Sequence, residues 1–263
     1  DFSAEMYLGM QDAANEFDYS VVIMSSNYDK NQEIWNINRL RAQRYDGIII
    51  ATGLVNEDLV HDLKSKYPIV MVDRITADTD IPYVSINDEE ITYKAANYLL
   101  GLGHEKIAYI SAPLRMVTLT KRYAGYTRAF QENNIPFNPG LCFFETFLER
   151  TDYKRCYEFV KDMVKKFDFS ALMVISDLGA IASLLAFHDM GLKIPEDVSI
   201  MGFDNIPYSE YCIPPLSTVS QNKYEMGYQG CKMLIDLLEG KQVQSKTIDA
   251  ELVIRSSTGV PAI

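Results

Sequence analysis

The strongest constraint on the fold is a stretch in which two short apolar strands flank one helix. Residues 171–175 form an apolar, partly β-branched run with the length of a strand that is buried on both faces. A helical pattern follows and is closed by Gly191, and residues 198–201 form the second strand. Parallel strands joined in this way bring their carboxyl ends to one sheet edge, where open α/β folds bind ligands. Asp177 and Asp204 follow these ends. We interpret Asp177 as a ligand contact rather than a helix cap, and Asp204 as a turn residue.

The same alternation of strands and helices runs along the rest of the chain. Further strands are predicted at residues 20–25, 47–51, 69–73, 83–86, 106–111, within 141–147 and at 247–254. Helices are predicted to begin near Ser3, Asp29, Asn56, Asn87, Asp152 and Tyr224. This alternation requires right-handed crossovers and mostly parallel sheets. A helix at Ser3 should follow a strand, and the sequence starts without one, so we expect the chain to be part of a longer protein.

The composition favours a two-lobed globular protein that does not bind nucleic acid by itself. The chain has 263 residues, of which 48% are hydrophobic, and this is enough for a large core. Its formal net charge is −11 at pH 7. Nucleic-acid affinity depends on Lys and Arg side chains that neutralise phosphates, and the sequence has no basic stretch of that kind.

Signatures of metal sites, disulfides, membrane spans and catalysis are missing from the sequence. The four cysteines have no CxxC spacing and the three histidines no metal-ligand spacing. We therefore expect reduced thiols, no metal and no cofactor. No apolar run is long enough to cross a bilayer and no signal peptide opens the sequence, so we expect a cytoplasmic protein without a membrane partner. The motifs GxSxG, HExxH and GxGxxG do not occur, so we expect no enzymatic activity.

A long string in the second half of the chain is characteristic of one family. It reads KIPEDVSIMGFDN at residues 193–205, and it is followed by PPLSTV at residues 214–219 and by Gln221. These motifs in this order resemble the effector-binding core of the lactose repressor (LacI/GalR) family of bacterial transcription regulators. The resemblance covers essentially the whole chain. It implies an α/β fold of two Rossmann-like lobes with mostly parallel sheets, known as the periplasmic binding protein-like fold of type I.

The resemblance also implies a domain organisation and a set of partners. Residues 1–87 with 219–247 would form the amino-terminal lobe, and residues 88–218 with 248–263 the carboxy-terminal lobe. A small-molecule effector, most simply a sugar or a related metabolite, would bind between them. A homodimer formed especially around residues 180–187 would present two helix-turn-helix headpieces to operator DNA. The headpiece itself would precede the present sequence.

Two candidate effector contacts follow from the same resemblance. Arg122 matches the effector-clamping arginine of an R-x-A-G-Y motif, and Asp177 matches a carboxylate in an S-D pair. These residue types suit a polyol because a guanidinium donates in a fixed fork and a carboxylate accepts from paired hydroxyls. The alternative for Arg122 is a surface ion pair.

Five further positions match the family less specifically, and each has a structural alternative. Thr118 matches a ligand-facing hydroxyl, or it caps a loop. Phe147 matches an aromatic residue that stacks on the effector, or it is a core residue. Gln221 matches a polar position near the effector, or it forms a hinge hydrogen bond. Asp73 offers a carboxylate from the first lobe, or a salt bridge. Phe2 occupies a similar aromatic position, or it is a frayed terminus.

The departures from the family pattern limit what can be inferred about the ligand. Glu145-Thr146 precedes Phe147 where members commonly have Gly-Asp, so one wall of the site is altered. Catabolite control proteins typically lack the arginine that matches Arg122, so its presence favours a small-molecule effector over control by a phosphoprotein. An exported sugar-binding protein of an ABC transporter remains the main alternative, since it shares the fold. An enzyme on the same architecture is a more distant one.

Overall fold

The computed structural model describes residues 2–26, 29–51, 57–75, 80–149 and 152–261. The chain divides into two compact units that it enters more than once. The first unit comprises Asp1–Ile86, Met116–Thr118 and Asn222–Asp249, and the second comprises Asn87–Arg115, Leu119–Gln221 and Ala250–Ile263. The lobe boundaries inferred from the sequence, at 87/88, 218/219 and 247/248, stay a prediction.

Helices and strands alternate along most of the described chain. The helices are α1 (Phe2–Glu16), α2 (Lys30–Ala42), α3 (Glu57–Lys64), α4 (Asp88–Gly101), α5 (Val117–Glu132), α6 (Tyr153–Lys166), α7 (Asp177–Asp189), α8 (Tyr208–Tyr211) and α9 (Lys223–Leu238). The strands are β1 (Ile48–Ala51), β2 (Ile69–Val72), β3 (Tyr83–Ile86), β4 (Ile107–Ser111), β5 (Cys142–Phe144), β6 (Ala171–Val174), β7 (Ser199–Met201), β8 (Thr218–Ser220), β9 (Lys246–Ile248) and β10 (Glu251–Val253).

Side-chain caps explain where several helices begin. Asp29 accepts hydrogen bonds from the backbone N–H groups of Asn31 and Gln32, which confirms the predicted start of α2. Asn87 accepts from the N–H of Glu90 over 3.2 Å and so caps α4. Glu90 itself pairs with an arginine of α5 and does not complete a capping box. Asn56, the predicted cap of α3, lies outside the described residues.

The first unit is built on a parallel sheet with the strand order β1-β2-β3-β9. Strand β2 is buried along its whole length, as its run of apolar residues predicts. Helix α9 packs against β1, β2 and β3 of this sheet, and α1 packs closely against α9. A Cβ atom on Gly227 of α9 would lie 1.9 Å from the carbonyl oxygen of Met6, so this contact requires a glycine.

The predicted strand at residues 20–25 is wrong. Residues 19–26 have no regular secondary structure, although Val21–Met24 is an apolar run typical of a strand. A strand forms only when its backbone has a partner. Within the described residues, β1 pairs with β2 alone and offers residues 20–25 no ladder.

The single closing strand predicted at residues 247–254 is also wrong. The segment forms two strands that belong to different sheets, because the chain breaks its pairing at Asp249 and Ala250. Strand β9 pairs in parallel with β3 of the first unit, and β10 pairs antiparallel with β8 of the second. Sequence pattern alone cannot show such a change of partner, since both halves have strand character.

The second unit contains a parallel sheet with the order β5-β4-β6-β7. Strands β4 and β6 are central and fully buried. The pairing of Ala171 with Ser199 places β6 beside β7 in parallel, as the opening sequence pattern predicts. The carboxyl ends of β4, β6 and β7 therefore lie along one edge of the sheet.

Candidate functional site

The loop after β7 has an unusual backbone. Asp204 and Asn205 have φ angles of 119° and 50°, in the region that residues other than glycine seldom adopt. Two backbone bonds fix the start of this loop. The N–H of Gly202 donates to the carbonyl of Ser217, and the N–H of Asp204 donates to that of Val219. The loop thus presents Asp204 in a defined direction at the carboxyl edge of the sheet.

The side chain of Asp177 fixes this loop through hydrogen bonds. Its side chain is fully buried, and its Oδ2 accepts a hydrogen bond from the N–H of Ile206 over 2.9 Å. Its Oδ1 accepts from the hydroxyl of Thr218. A Cβ atom on Gly202 would come within 2.3 Å of that Oδ1, which explains the glycine in the GFDN motif. Asp177 therefore positions the loop, while its predicted contact with a ligand stays a prediction.

Ser176, not Asp177, is the N-cap of α7. The Ser176 hydroxyl accepts a hydrogen bond from the N–H of Gly179 over 3.2 Å. The alternative interpretation of Asp177 as a helix cap is therefore wrong. The Ser176 hydroxyl accepts from the first turn of α7, so the carboxylate of Asp177 is not needed as a cap. It points instead toward the loop after β7.

Arg122 is buried and forms an ion pair with Asp88. Its Nε donates to Oδ1 of Asp88 over 2.7 Å, and 8% and 0% of the two side chains are exposed. Its Cζ lies 3.8 Å from the centroid of the Phe203 ring, at a distance suited to a cation–π contact. Arg122 thus forms an ion pair, as its structural alternative supposed, but the pair is buried and not at the surface.

Gln221 connects Arg122 to Asp204. Its Oε1 lies 3.5 Å from Nη2 of Arg122, and its Nε2 donates to Oδ1 of Asp204 over 2.7 Å. Asp88, Arg122, Gln221 and Asp204 thus form one chain of polar contacts, which we call the edge network. One buried acceptor of this network, Oδ2 of Asp88, has no hydrogen-bond partner among the described residues.

The edge network has the donors and acceptors that a polyhydroxyl ligand requires. Asp204 is only half-buried, and its carboxylate can accept from two hydroxyls. The guanidinium of Arg122 has five N–H donors in a fixed fork. The face of Phe203 is already covered by Arg122, so this ring is not a free stacking platform.

The other sequence-based candidates are placed as follows. Thr118 lies in the first turn of α5, one turn before Arg122, and it is buried. Phe147 is 7% exposed and packs in the core of the second unit, with its ring centroid 5.5 Å from that of Phe159. Asp73 follows β2 in the first unit with a φ of 56°, and its N–H donates to the carbonyl of Val84. Phe2 begins α1, and its side chain is outside the described residues.

Sequence reasoning missed three participants. Asp88 was not among the candidate residues, and Asp204 was interpreted only as a turn residue. Arg255 was not considered, yet its Nη2 donates to Oδ1 of Asn205 over 2.9 Å and its Nη1 to the carbonyl of Leu216. The carboxylate of Asp204 at a strand end was a usable signal. Nothing local distinguishes Arg255, because its partners are about forty to fifty positions earlier.

The described residues show neither a metal cluster nor a membrane-spanning helix. Within that part of the chain, no group of three or more His, Cys, Asp and Glu side chains could hold a metal ion. Its cysteines are free, and burial raises the pKa of the Cys156 and Cys231 thiols to about 11. None of its helices is long and apolar enough to span a membrane.

Comparison with known proteins decides the family. Residues 96–258, more than half of the chain, match the family described as periplasmic binding protein-like domain. The HTH-type transcriptional repressor CytR of Escherichia coli (strain K12) is 30% identical over 265 residues, covering 98% of this chain and 75% of CytR. The chain belongs to the LacI family of transcription regulators. This LacI-family core is also 29% identical to catabolite control protein A of Priestia megaterium over 257 residues, covering 96% of the chain and 74% of that protein.

The solved structures agree with this assignment. The transcription regulator CcpA of Lactococcus lactis superposes with a TM-score of 0.91 at 29% identity, covering 98% of this chain and 94% of that one. The α/β fold with mainly parallel sheets and the identification of a LacI-family effector-binding core are therefore confirmed. The relatives compared are regulators and not enzymes.

Proposed function

We propose that this LacI-family core binds a small sugar or related metabolite at the edge network and thereby controls the DNA affinity of a bacterial transcription regulator, most simply a repressor. A helix-turn-helix headpiece upstream would contact operator DNA, since the chain itself carries a net charge of −11. The protein would act in the cytoplasm, where its operator is. The ligand would act by binding one conformation of the core more tightly than another.

The observation that carries this proposal is the link from Arg122 through Gln221 to Asp204. A guanidinium, an amide and a carboxylate lie in contact at the carboxyl edge of a parallel sheet. Such an edge is the usual ligand position in open α/β folds. In this arrangement Asp204 accepts from ligand hydroxyls, Arg122 donates to ligand oxygens, and Asp177 with Asn205 and Arg255 fixes the loop between them.

The remaining sequence-based candidates are kept in the proposal with smaller roles. Thr118 would offer a hydroxyl from the same helix as Arg122, and Asp73 and Phe2 would contribute from the first unit. Phe147 supports the second unit from its core. Its burial against Phe159 favours the structural alternative over ring stacking on a ligand.

A homodimer is part of the same proposal. Large apolar side chains of the second unit are exposed, including Leu185 on α7 at 54%, Tyr211 at the end of α8 at 78% and Ile213 beyond α8 at 93%. Solvent-exposed apolar residues of this size favour an interface. The predicted contact region at residues 180–187 contributes through Leu185, because Ala180, Leu184 and Phe187 face the core.

The main alternative is an exported sugar-binding protein of an ABC transporter. Both classes share the fold, but CytR and catabolite control protein A, whose matches cover 98% and 96% of this chain, are a transcriptional repressor and a catabolite control protein. We therefore favour the regulator. An enzyme is disfavoured because the same relatives are regulators, and no observation at the edge network supports catalysis.

A thermal-shift screen of the purified chain tests the proposal. Sugars, sugar phosphates, nucleosides and purines would each be added in excess. A ligand at a hundred times its Kd raises the free energy of unfolding by about 2.7 kcal/mol and shifts Tm upward. We expect a hit whose Tm shift is clearly smaller in Asp204→Asn and unchanged in Asp168→Asn, a matched exposed carboxylate of the same unit. A hit of equal strength in both variants would place the ligand elsewhere.

A further inference from the structure

Three buried polar atoms of the second unit have no hydrogen-bond partner among the described residues. They are Oδ2 of Asp88, Oγ1 of Thr92 and the hydroxyl oxygen of Tyr109, and each of these residues is at most 1% exposed. A polar atom that loses its contacts with bulk water and gains none in the protein is unfavourable. Folded proteins seldom leave such atoms without a partner, and an internal water molecule commonly supplies one.

Asp88 and Thr92 lie on one face of α4. They are four residues apart, so their side chains are neighbours along the helix. A helical threonine often donates its hydroxyl hydrogen to the carbonyl four residues earlier, but Thr92 makes no such bond. Its hydroxyl is therefore available to a group that also reaches Oδ2 of Asp88.

Helix α5 connects this part of α4 with Tyr109 of β4. A Cβ atom on Gly125 of α5 would lie 2.1 Å from the carbonyl oxygen of Glu89, so the two helices touch at this glycine. The next residue of α5, Tyr126, stacks on Tyr109 with 4.7 Å between the ring centroids. The first turns of α4 and the middle of β4 therefore pack against the same segment of α5.

Electrostatic effects also place the Tyr109 hydroxyl near the ion pair of Arg122 and Asp88. Burial is the main reason that the pKa of Tyr109 is raised. The charge of Arg122 opposes this pKa shift and the charge of Asp88 adds to it, so both charges act on the hydroxyl. Ser111, on the same face of β4, donates its own hydroxyl hydrogen to the carbonyl of Ala112 over 2.9 Å. The region therefore has more acceptors than donors, which suits a molecule that donates two hydrogens.

We propose that one internal water molecule binds to Asp88, Thr92 and Tyr109. It would donate one hydrogen to Oδ2 of Asp88 and the other to one of the two hydroxyls, and it would accept the hydrogen of the remaining hydroxyl. About three hydrogen bonds are typical of an internal water. The site suits water rather than part of a larger ligand, because its three residues are closed off from solvent.

The water would give the carboxylate of Asp88 a second fixed contact. The Nε atom of Arg122 donates to Oδ1 of Asp88 over 2.7 Å, and the water would donate to Oδ2, so the carboxylate is held at both oxygens. The guanidinium of Arg122 then keeps its direction within the edge network. Thr92 and Tyr109 are thus positioning residues that act on Arg122 through the water and Asp88. The benefit to effector binding rests on the proposed function, whereas the water site needs no effector.

The test removes one hydroxyl at a time. Thr92→Val and Tyr109→Phe nearly keep the shape of the side chain and remove its polar atom. Removal of a hydroxyl that has no partner leaves stability unchanged or raises it, whereas removal of one that holds a water leaves the water and Asp88 poorly bonded. We expect the equilibrium constant of unfolding in urea to rise by about tenfold in each variant. The control is Thr120→Val, the same substitution at an exposed position of α5.

A second measurement follows Arg122 directly. Its Nε–H group donates to Asp88, so the rate of hydrogen exchange at this group reports how firmly the carboxylate is held. The rate is measured by NMR in protein that carries isotope-labelled arginine, and the signal is assigned by its loss in Arg122→Lys. We expect exchange to be at least about tenfold faster in Thr92→Val and Tyr109→Phe than in the wild-type protein or Thr120→Val.

The outcomes separate the water site from its effect on Arg122. Unchanged or increased stability of Thr92→Val and Tyr109→Phe would overturn the water site. A wild-type crystal structure should show the water within about 3.2 Å of all three atoms, and density for no water there would overturn the site as well. Lowered stability with unchanged exchange at Arg122 would overturn the positioning role. None of these measurements involves an effector, so a failure of the proposed function would be seen separately, in the thermal-shift screen.

Discussion

The Nε atom of Arg122 donates a hydrogen bond to Oδ1 of Asp88 over 2.7 Å, and both charges are almost completely removed from solvent. Arg122 lies in the second turn of α5, and Asp88 is the first residue of α4. The pair therefore joins two helices of the second unit within the edge network. Breaking a buried pair is costly because the remaining charge has no compensation, even where the intact pair contributes little net stability.

Replacing Arg122 should destabilise the protein as well as weaken ligand binding. We expect Arg122→Ala to lower the free energy of unfolding by about 3–5 kcal/mol, because Asp88 is left as a buried carboxylate. Urea denaturation measures the loss. The double variant Arg122→Ala with Asp88→Asn should recover part of the lost free energy of unfolding. The control is Arg115→Ala, because 61% of the Arg115 side chain is exposed. This control variant should change the free energy of unfolding by less than about 0.5 kcal/mol. A loss for Arg122→Ala as small as that of Arg115→Ala would contradict the account.

The two aspartates of the carboxyl edge should respond differently to substitution. Asp177→Ala leaves the N–H of Ile206 and the hydroxyl of Thr218 without their acceptor, each at about 1–3 kcal/mol. Asp204→Asn keeps an oxygen for Gln221, and Asn tolerates the positive φ at this position. We therefore expect the first variant to be strongly destabilised in urea and the second to be nearly unchanged. If Asp204→Asn were instead the strongly destabilised variant and Asp177→Ala nearly unchanged, the roles assigned to these two residues would be contradicted.

The close approach of α1 and α9 should make Gly227 intolerant of a side chain. A Cβ atom at this position would collide with the backbone of Met6, so Gly227→Ala must displace a helix. Overpacking of this kind costs about 1–3 kcal/mol or more. Gly101→Ala is the matched control, since nothing lies within 4 Å of its Cβ position and Ala favours helix by about 0.5–1 kcal/mol. Thermal unfolding should show a lowered Tm for the first variant only.

His104 should make the protein less stable in mild acid. Burial lowers the pKa of His104 from its ordinary value of 6.5, although the carbonyl of Gly259, which accepts from Nε2, opposes the shift. The unfolded chain therefore binds a proton near pH 6.5 that the folded chain does not. The contribution of His104 to stability is complete above that pH and is lost as the pH falls below it.

Urea denaturation at about pH 7.5 and about pH 5.5 checks this sign. The wild-type protein should lose more stability between these values than His104→Gln does. His188→Gln, at a histidine with 83% of its side chain exposed, should retain the wild-type dependence. An identical pH dependence in all three proteins would show that His104 is not responsible.

The sequence was sufficient for features that depend on local pattern. The buried run at β6 is continuous apolar sequence, and the cap of α2 is an aspartate directly before a helical pattern, so both were predicted correctly. The sequence was not sufficient for features that depend on distant partners. Residues 20–25 have strand propensity but no ladder, and Asp249 marks a change of sheet that propensity does not record.

The same distinction applies to the site. Arg122 carries a motif and could be selected from it, but its burial against Asp88, 34 positions earlier, is a tertiary fact. Asp177 and Asp204 each follow a strand, and the sequence led us to interpret Asp177 as the ligand contact and Asp204 as a turn residue. Only the contacts of Asp177 with Ile206 and Thr218 show that its carboxylate is engaged inside the fold.

Calorimetric titration of the strongest ligand from the thermal-shift screen tests the central claim most directly. The account predicts that wild-type protein and Asp168→Asn bind it with equal affinity, and that Asp204→Asn binds it at least about tenfold more weakly, since a charged acceptor of the hydroxyls is lost. Urea denaturation of the same samples should show that Asp204→Asn remains folded. Undiminished affinity in folded Asp204→Asn would contradict the assignment of the edge network as the effector site.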